Sequence, residues 1–320
     1  MALTSKSTSA AGELLNQELL QALDNLFGLH PGYRPVHAKG VFCSGTFTPS
    51  PEAASLTRAP HVQRDSTRVV VRFSNFAGIP TVADNNPEAA SPRGMAIRFY
   101  LAEHVHTDII GHSHDGFPTR TGEEFLEFAR ALAASGPDTP KPTALESFLA
   151  THPRAKQFLE TPKPIPTSFA RESFYGVTAF RFVNKDGTSR YGRFRVRPDA
   201  GSEYLDAAAA AAKTGHFLFD EIRERLAQGQ VKFRILVQLA GSGDEVSDST
   251  ITWPEDRTQL EFGTVVLTEC VPDNDPESQR IIFDPIPRVD GIDPSDDPLI
   301  ELRAAIYLLS GRRRRAATAQ

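Results

Sequence analysis

The feature that most constrains this chain is a series of short strand-like runs parted by turn residues. Arg68–Phe73, Met95–Tyr100, Phe180–Val183, Tyr191–Val196, Val231–Leu239 and Gly263–Thr268 have β-branched or alternating character. Asn184-Lys185-Asp186-Gly187, between two of these runs, has the composition of a hairpin turn. Short strands joined by tight turns favour an antiparallel barrel or sandwich over a doubly wound sheet. Helical patterns surround them. Leu15, Leu19, Leu23, Leu26 and Phe27 recur at near three-to-four spacing before Gly28. Thr121-Gly122-Glu123-Glu124 is a capping-box pattern ahead of Phe125, Phe128, Ala129 and Leu132. Further helices are expected over Glu203–Lys213, His216–Ala227 and Pro298–Leu309, and a Pro- and Gly-rich loop enters a strand over Pro31–Phe47. Pro137–Pro142 and Pro162–Pro166 read as connecting loops. No repeat or linker divides the chain, so residues 1–320 are expected to form one α+β domain.

Composition excludes several classes of function. Lys+Arg 35 against Asp+Glu 40 leaves a net charge of −5, which gives no whole-protein case for nucleic acid. No apolar run approaches the length of a membrane span. The opening MALTSKSTSAAGELLNQ has no apolar leader core, so a cytoplasmic location is expected. Cys43 and Cys270 are too few for a disulfide scaffold or a thiolate zinc site, and Cys43, among apolar residues, reads as inert.

Three segments carry potential chemistry. His37 lies in Arg34-Pro35-Val36-His37-Ala38-Lys39-Gly40, between basic residues and a flexible Gly. In Val71-Arg72-Phe73-Ser74 the strand period puts Arg72 and Ser74 on one face of a mostly apolar strand, where a guanidinium is costly unless it meets an anion. In Arg303-Ala304-Ala305-Ile306-Tyr307 the helical period stacks a guanidinium one turn from a phenol. Each has an ordinary explanation: a satisfied loop histidine, an edge-strand face, or helix decoration. Separately, none decides function.

Together and in this order they resemble one family, the haem catalases. The resemblance is carried by Val36–Gly40, by Ser91-Pro92-Arg93-Gly94-Met95-Ala96-Ile97-Arg98-Phe99-Tyr100, and by Gly291-Ile292-Asp293-Pro294-Ser295 leading to Arg303 and Tyr307. A short chain without a long N-terminal arm or a C-terminal helical region is similar to the catalase-related peroxidases, a minimal version of the fold. The resemblance implies haem b (iron protoporphyrin IX) held by an antiparallel β-barrel with surrounding helices. Tyr307 matches the iron ligand, the known catalase arrangement, with Arg303 one turn away favouring the phenolate and Asp297 behind that Arg. His37 matches the acid–base residue and Ser74 its orienting partner. Arg34, Arg72 and Arg314 match the guanidiniums that neutralise the haem propionates, and Phe117 and Phe125 match packing on the distal haem face.

Several residues depart from the family pattern. His112 follows Asp108-Ile109-Ile110-Gly111 where catalases carry Asn, so an imidazole replaces the amide that positions hydrogen peroxide. Ser91 replaces an acidic channel residue, Phe76 a small aliphatic one, and Arg195 a His behind the iron ligand. These departures imply a haem peroxidase that reduces organic hydroperoxides or hydrogen peroxide with a small-molecule electron donor, with weak or no catalase activity. Alternatives are a true hydrogen peroxide dismutase, an allene oxide synthase-like enzyme, and a non-catalytic haem- or lipid-binding barrel. Val36 stands where allene oxide synthases carry Thr, against the second of these. A monomer or homodimer is expected.

Other signals are read as ordinary. His104, His106, His112 and His114 could suggest a non-haem metal, but the family pattern accounts for His112 without one. Asp244–Asp248 and Asp273–Glu277 lack calcium-loop spacing, and Arg312–Arg315 reads as a solvated terminus apart from Arg314.

Overall fold

A computed structural model of the chain describes residues 10–317. Met1–Ser9, the start of the stretch read as lacking a leader core, lie outside the described residues, as do residues 318–320. The strands are β1 (Gly40–Pro49), β2 (Thr67–Ser74), β3 (Gly94–Ala102), β4 (Val105–His112), β5 (Phe174–Tyr175), β6 (Phe180–Val183), β7 (Ser189–Pro198), β8 (Val231–Leu239), β9 (Gln259–Cys270) and β10 (Ile292–Pro294). Their order is β10-β6-β7-β5-β4-β3-β2-β1-β9-β8, and β7 also pairs with β8. That last pairing closes the sheet into an eight-stranded antiparallel barrel, with β6 and β10 appended at β7. Closure pairs the edges that an open sheet would expose.

The barrel is filled, not hollow. Phe47, Phe73, Phe99, Phe174, Phe182, Phe233 and Phe262 are fully buried within one apolar cluster. Strand alternation sorts the two faces of β2. Val69, Val71 and Phe73 belong to that interior cluster, whereas Val70 belongs to a second cluster with Ile281 and Phe283. Arg72 and Ser74 therefore share the outer face, and both are buried there.

The helices are α1 (Ala10–Phe27), α2 (Ala53–Leu56), α3 (Gly122–Ala133), α4 (Ala144–Thr151), α5 (Pro153–Glu160), α6 (Ala207–Ala211), α7 (Phe217–Gln228), α8 (Pro276–Arg280) and α9 (Leu299–Ala317). Leu19 and Ala22 of α1 pack with Leu126 and Ala129 of α3, and Leu302 and Ile306 of α9 join them. This three-helix layer brings the two ends of the chain together outside the barrel. No described helix is long and apolar enough to cross a membrane.

Local differences from the sequence reading have physical causes. At α3 the Thr121 side chain accepts from Glu124 N, but the Glu124 carboxylate reaches one residue further back, to Arg120 N. The Ala-rich helix is confined to α6, because Asp206 caps it at Ala209 N, while Leu205 N and Thr167 N bond across to Ile165 and Glu203 carbonyls. Conversely, α9 runs eight residues past Leu309. Arg313 forms a two-pronged pair with Asp24, each contact 2.7 Å, so within the helical arginine run Arg313 is packed along with the buried Arg314, while Arg312 and Arg315 are exposed. Two elements that the sequence reading left unassigned are ordered: β4, and α4 with a complete Thr143/Glu146 capping box.

Candidate functional site

The loop between α1 and β1 delivers His37 to the barrel's outer face. Its backbone has φ of 60°, a left-handed value that a non-glycine residue holds only when its surroundings insist. His37 N donates to Phe76 O at 2.6 Å, which supplies part of that insistence. The ring's Nδ1 lies 2.9 Å from the Asn75 carbonyl oxygen and 3.1 Å from Ser74 Oγ. A carbonyl can only accept, so Nδ1 carries the hydrogen and Nε2 keeps the lone pair. Burial, followed by the charge of Arg72, lowers the His37 pKa to about 3, so the ring is neutral at physiological pH. Gly94 on β3 makes this pose possible: a Cβ there would lie 2.6 Å from Ser74 Oγ and 2.8 Å from His37 Nδ1. Phe76 meets the imidazole edge-on with centroids 5.8 Å apart, and Phe27 at the end of α1 braces Phe76 at the same distance.

The residue whose carbonyl holds His37 is itself fixed. Asn75 Nδ2 donates to Asp84 Oδ1 at 2.7 Å, and Arg93 Nη1 donates to Asn75 Oδ1 at 3.0 Å. Asp84, fully buried, also accepts from Lys39 Nζ at 2.7 Å and from Leu218 N at 2.9 Å. Sequence reasoning named neither Asn75 nor Asp84. Lys39 and Arg93 lay inside the quoted motifs, and two buried cations there were the available signal for a buried acid.

Three guanidiniums converge beside this group. Arg34 Nη2 and Arg314 Nη2 both donate to the Ile281 carbonyl at 3.1 Å. Arg72 Nη2 donates to the carbonyls of His37 and Ala38 at 2.9 and 3.2 Å. Phe42 carries Arg34 and Arg72 over its ring, 5.9 and 5.6 Å from the centroid. Gly40 leaves room for Arg72, since a Cβ there would sit 2.2 Å from its Nη2. Burial and then the charge of Arg314 lower the Arg72 pKa to about 9; burial and then the charge of Arg72 hold Arg34 well below its usual range. Like charges gathered out of water in this way are costly until an anion joins them.

On α9, Arg303 Nη2 donates to Tyr307 Oη at 3.3 Å, and Nη1 to Thr178 Oγ1 at 3.3 Å. The charge of Arg303 contributes to lowering both His37 and His112, which brings α9 and the two imidazoles to one locality. Asp297 feels the charge of Arg303 but makes no ion pair or hydrogen bond with it. Its carboxylate accepts from Ser249 Oγ and from Leu299 N, capping the start of α9. Burial raises its pKa. Arg195 is buried and bonds Gln238 Oε1 at 2.6 Å and Asp115 Oδ2 at 3.0 Å.

His112 ends β4 directly across from Gly94, the glycine on which His37 rests. Burial first, then neighbouring positive charge, keeps its pKa well below the ordinary histidine value. Its Nδ1 is buried with no hydrogen-bond partner among the described residues. Phe117 and Phe125 face each other with centroids 5.4 Å apart. The other histidines of the run go elsewhere. His104 lies exposed in the turn before β4 with φ of 59°, and His114 meets the Phe158 ring edge-on.

This geometry defines a closed antiparallel barrel carrying a neutral, hydrogen-bonded histidine and a cationic cradle on its outer face. The catalase family profile matches residues 14–320. Catalase-related peroxidases of Mycolicibacterium paratuberculosis and Synechococcus elongatus are 35% and 32% identical to the chain. Those alignments cover 94% and 95% of this chain and 95% and 90% of the two relatives. A fungal catalase structure superposes with a TM-score of 0.76 at 23% identity, covering 88% of this chain and 59% of its own, a likeness of fold. The chain belongs to the catalase family.

Membership of that family implies haem binding in general, and the residues fit such a group. Arg72 Nε is buried without a partner, and neither Arg34 nor Arg72 has a carboxylate within ion-pair reach among the described residues. A dianionic edge is the chemistry these guanidiniums lack. A phenol beside a guanidinium on α9 and two facing phenyl rings complete a donor set suited to a flat, apolar, metal-bearing anion.

Proposed function

We propose that the protein is a haem-dependent peroxidase that binds haem b and reduces organic hydroperoxides or hydrogen peroxide with a small organic electron donor. Little dismutation of hydrogen peroxide is expected. Tyr307 would hold the iron through its phenolate, Arg34, Arg72 and Arg314 the propionates, and Phe117 and Phe125 a face of the ring. When bound, the haem supplies the redox centre for cleaving the O–O bond.

The chain's own contribution is proton handling. His37 is neutral with Nδ1–H committed to the Asn75 carbonyl, so Nε2 takes a proton from the peroxide and returns it to the departing oxygen. That fixed tautomer is the observation that carries the reading. Ser74 steadies the ring, and burial first, then the positive charge of Arg72 and Arg34, keeps it from being protonated beforehand. His112, neutral across from Gly94, contributes an imidazole where catalases place an amide. Relatives named catalase-related peroxidase, matched over nearly their whole length, support peroxidase over dismutase. Nucleic acid has no place in this reading, and the working unit is taken as a cytoplasmic monomer or homodimer.

Absorption spectra after expression with ample haem test the reading. The wild-type chain should show a Soret band with high-spin ferric features, and Tyr307→Phe should lose most of its haem. Initial rates should then be higher for an organic hydroperoxide with a phenolic donor than for oxygen release from hydrogen peroxide alone. Oxygen release outrunning donor oxidation would replace the peroxidase with a dismutase, and a chain that takes up no haem would end the proposal.

A further inference from the structure

The two cysteines, 227 positions apart in sequence, are direct cross-strand neighbours. Cys43 of β1 and Cys270 of β9 are paired in register, with their sulfurs 3.4 Å apart. Opposed residues on antiparallel strands have Cα separations of about 4.5–5.5 Å, within the range a disulfide tolerates. The two thiols differ in environment. Cys43 is fully buried in the barrel's apolar cluster, whereas Cys270, near the end of β9, keeps partial solvent access.

We propose that Cys43 and Cys270 form a dithiol site that hydroperoxides oxidise reversibly to a disulfide. The Cys270 thiolate attacks the hydroxyl-bearing peroxide oxygen: the S–O bond forms, the O–O bond breaks, and the alkoxide leaves as the alcohol by taking up the proton that the Cys270 thiol released. Cys270 is then a sulfenic acid. The Cys43 sulfur attacks it, forming S–S and breaking S–O, and water leaves carrying the Cys43 proton. Two thiols lose two electrons and two protons, and ROOH becomes ROH and water. The assignment of attacker and resolver follows from access, and charge supports it. The hydrogen bond shared with Cys43 and the nearby Arg223 lower the Cys270 pKa, while the same pairing and burial raise that of Cys43.

The site is separate from the outer-face cradle, because Cys43 belongs to the barrel's interior cluster while its neighbour Phe42 belongs to the outer one. Its readout is thiol content, independent of peroxidase turnover. The full-length protein, reduced and freed of reductant, is exposed to cumene hydroperoxide, unfolded in maleimide and weighed intact. Both thiols should become unreactive, with a mass two hydrogens lighter, and dithiothreitol should restore them. Cys43→Ser should stop at a dimedone-trappable Cys270 sulfenic acid, and Cys270→Ser should leave Cys43 maleimide-reactive. Two thiols still reactive after treatment would overturn the proposal. So would Cys43 oxidising as fast in Cys270→Ser as in the wild type.

Discussion

Two histidines of this chain share one electrostatic fate and differ in everything else. His37 on the barrel's outer face and His61 in its interior are both lowered to about 3, chiefly by burial. His61 sits among the rings of Phe99, Phe262 and Phe47, with centroids 5.0, 5.5 and 6.1 Å away, and its Nδ1 has no partner among the described residues. His37 has its Nδ1 tied to a carbonyl, its backbone held at positive φ, and the charges of Arg72, Arg34 and Arg303 acting on it. Burial alone makes an imidazole neutral. A committed tautomer on a fixed backbone, beside buried guanidiniums, is what would let a neutral imidazole serve as a base under the proposed function.

Exchanging the two side chains for inert ones breaks the comparison most sharply. His37→Ala should keep the fold and the haem content yet lower peroxide turnover by about 10²–10⁴-fold, the usual scale of a general acid–base residue. His61→Phe, which continues the aromatic cluster, should leave turnover near wild type. Steady-state rates with an organic hydroperoxide and a phenolic donor measure both. Comparable losses in the two variants would mean that burial, and not the hydrogen-bonded pose, governs the chemistry.

Acid stability is where His61 should matter. Its ordinary pKa is 6.5 and its folded value about 3. Above 6.5 both states are neutral and the residue contributes no pH dependence. As pH falls below 6.5 the unfolded chain takes the proton first, so stability declines down to about pH 3 and the decline then stops. At about pH 4.5 the deficit is ~3 kcal/mol, two pH units at roughly 1.4 kcal/mol each. Urea unfolding of His61→Phe and wild type at neutral pH and near pH 4.5 should show the variant losing less on acidification, by about that amount. His37, lowered to about 3 as well, contributes with the same sign in both proteins and so drops out of the difference between them. Equal acid losses in the two proteins would mean His61 is protonated within the fold.

What the sequence revealed, and what it hid, follows the same division. Alternation along Arg68–Phe73 placed Arg72 and Ser74 together outside the barrel, and helical spacing paired Arg303 with Tyr307, because both periods are local. The Asn75 carbonyl that sets the His37 tautomer was not legible, since every residue type carries the same carbonyl. Nor was the extent of α9, which depends on Arg313 meeting Asp24 across 289 positions. His61 carried no signal, being a lone histidine in a short 3₁₀ turn whose phenylalanine neighbours come from β1, β3 and β9. Asp297 shows the remaining kind of gap: beside its electrostatic contact with Arg303 the carboxylate caps the start of α9, a use no local pattern signalled.

The smallest effect sharpens the comparison from within the site. Ser74 Oγ lies 3.1 Å from His37 Nδ1, slightly beyond the 2.9 Å of the Asn75 carbonyl, so the hydroxyl is the second of two partners for a single hydrogen. Removing a secondary neutral partner costs about 0.5–1.5 kcal/mol, a roughly two- to tenfold change. Ser74→Ala should therefore lower turnover by about that factor while leaving haem content unchanged. Its loss should appear in the maximal rate more than in the Michaelis constant, because the ring is loosened while the guanidinium cradle stays intact. A loss as large as that of His37→Ala would mean the hydroxyl, not the carbonyl, fixes the tautomer. Nδ1 would then be the acceptor and Nε2 would carry the hydrogen, inverting the proton bookkeeping of the site.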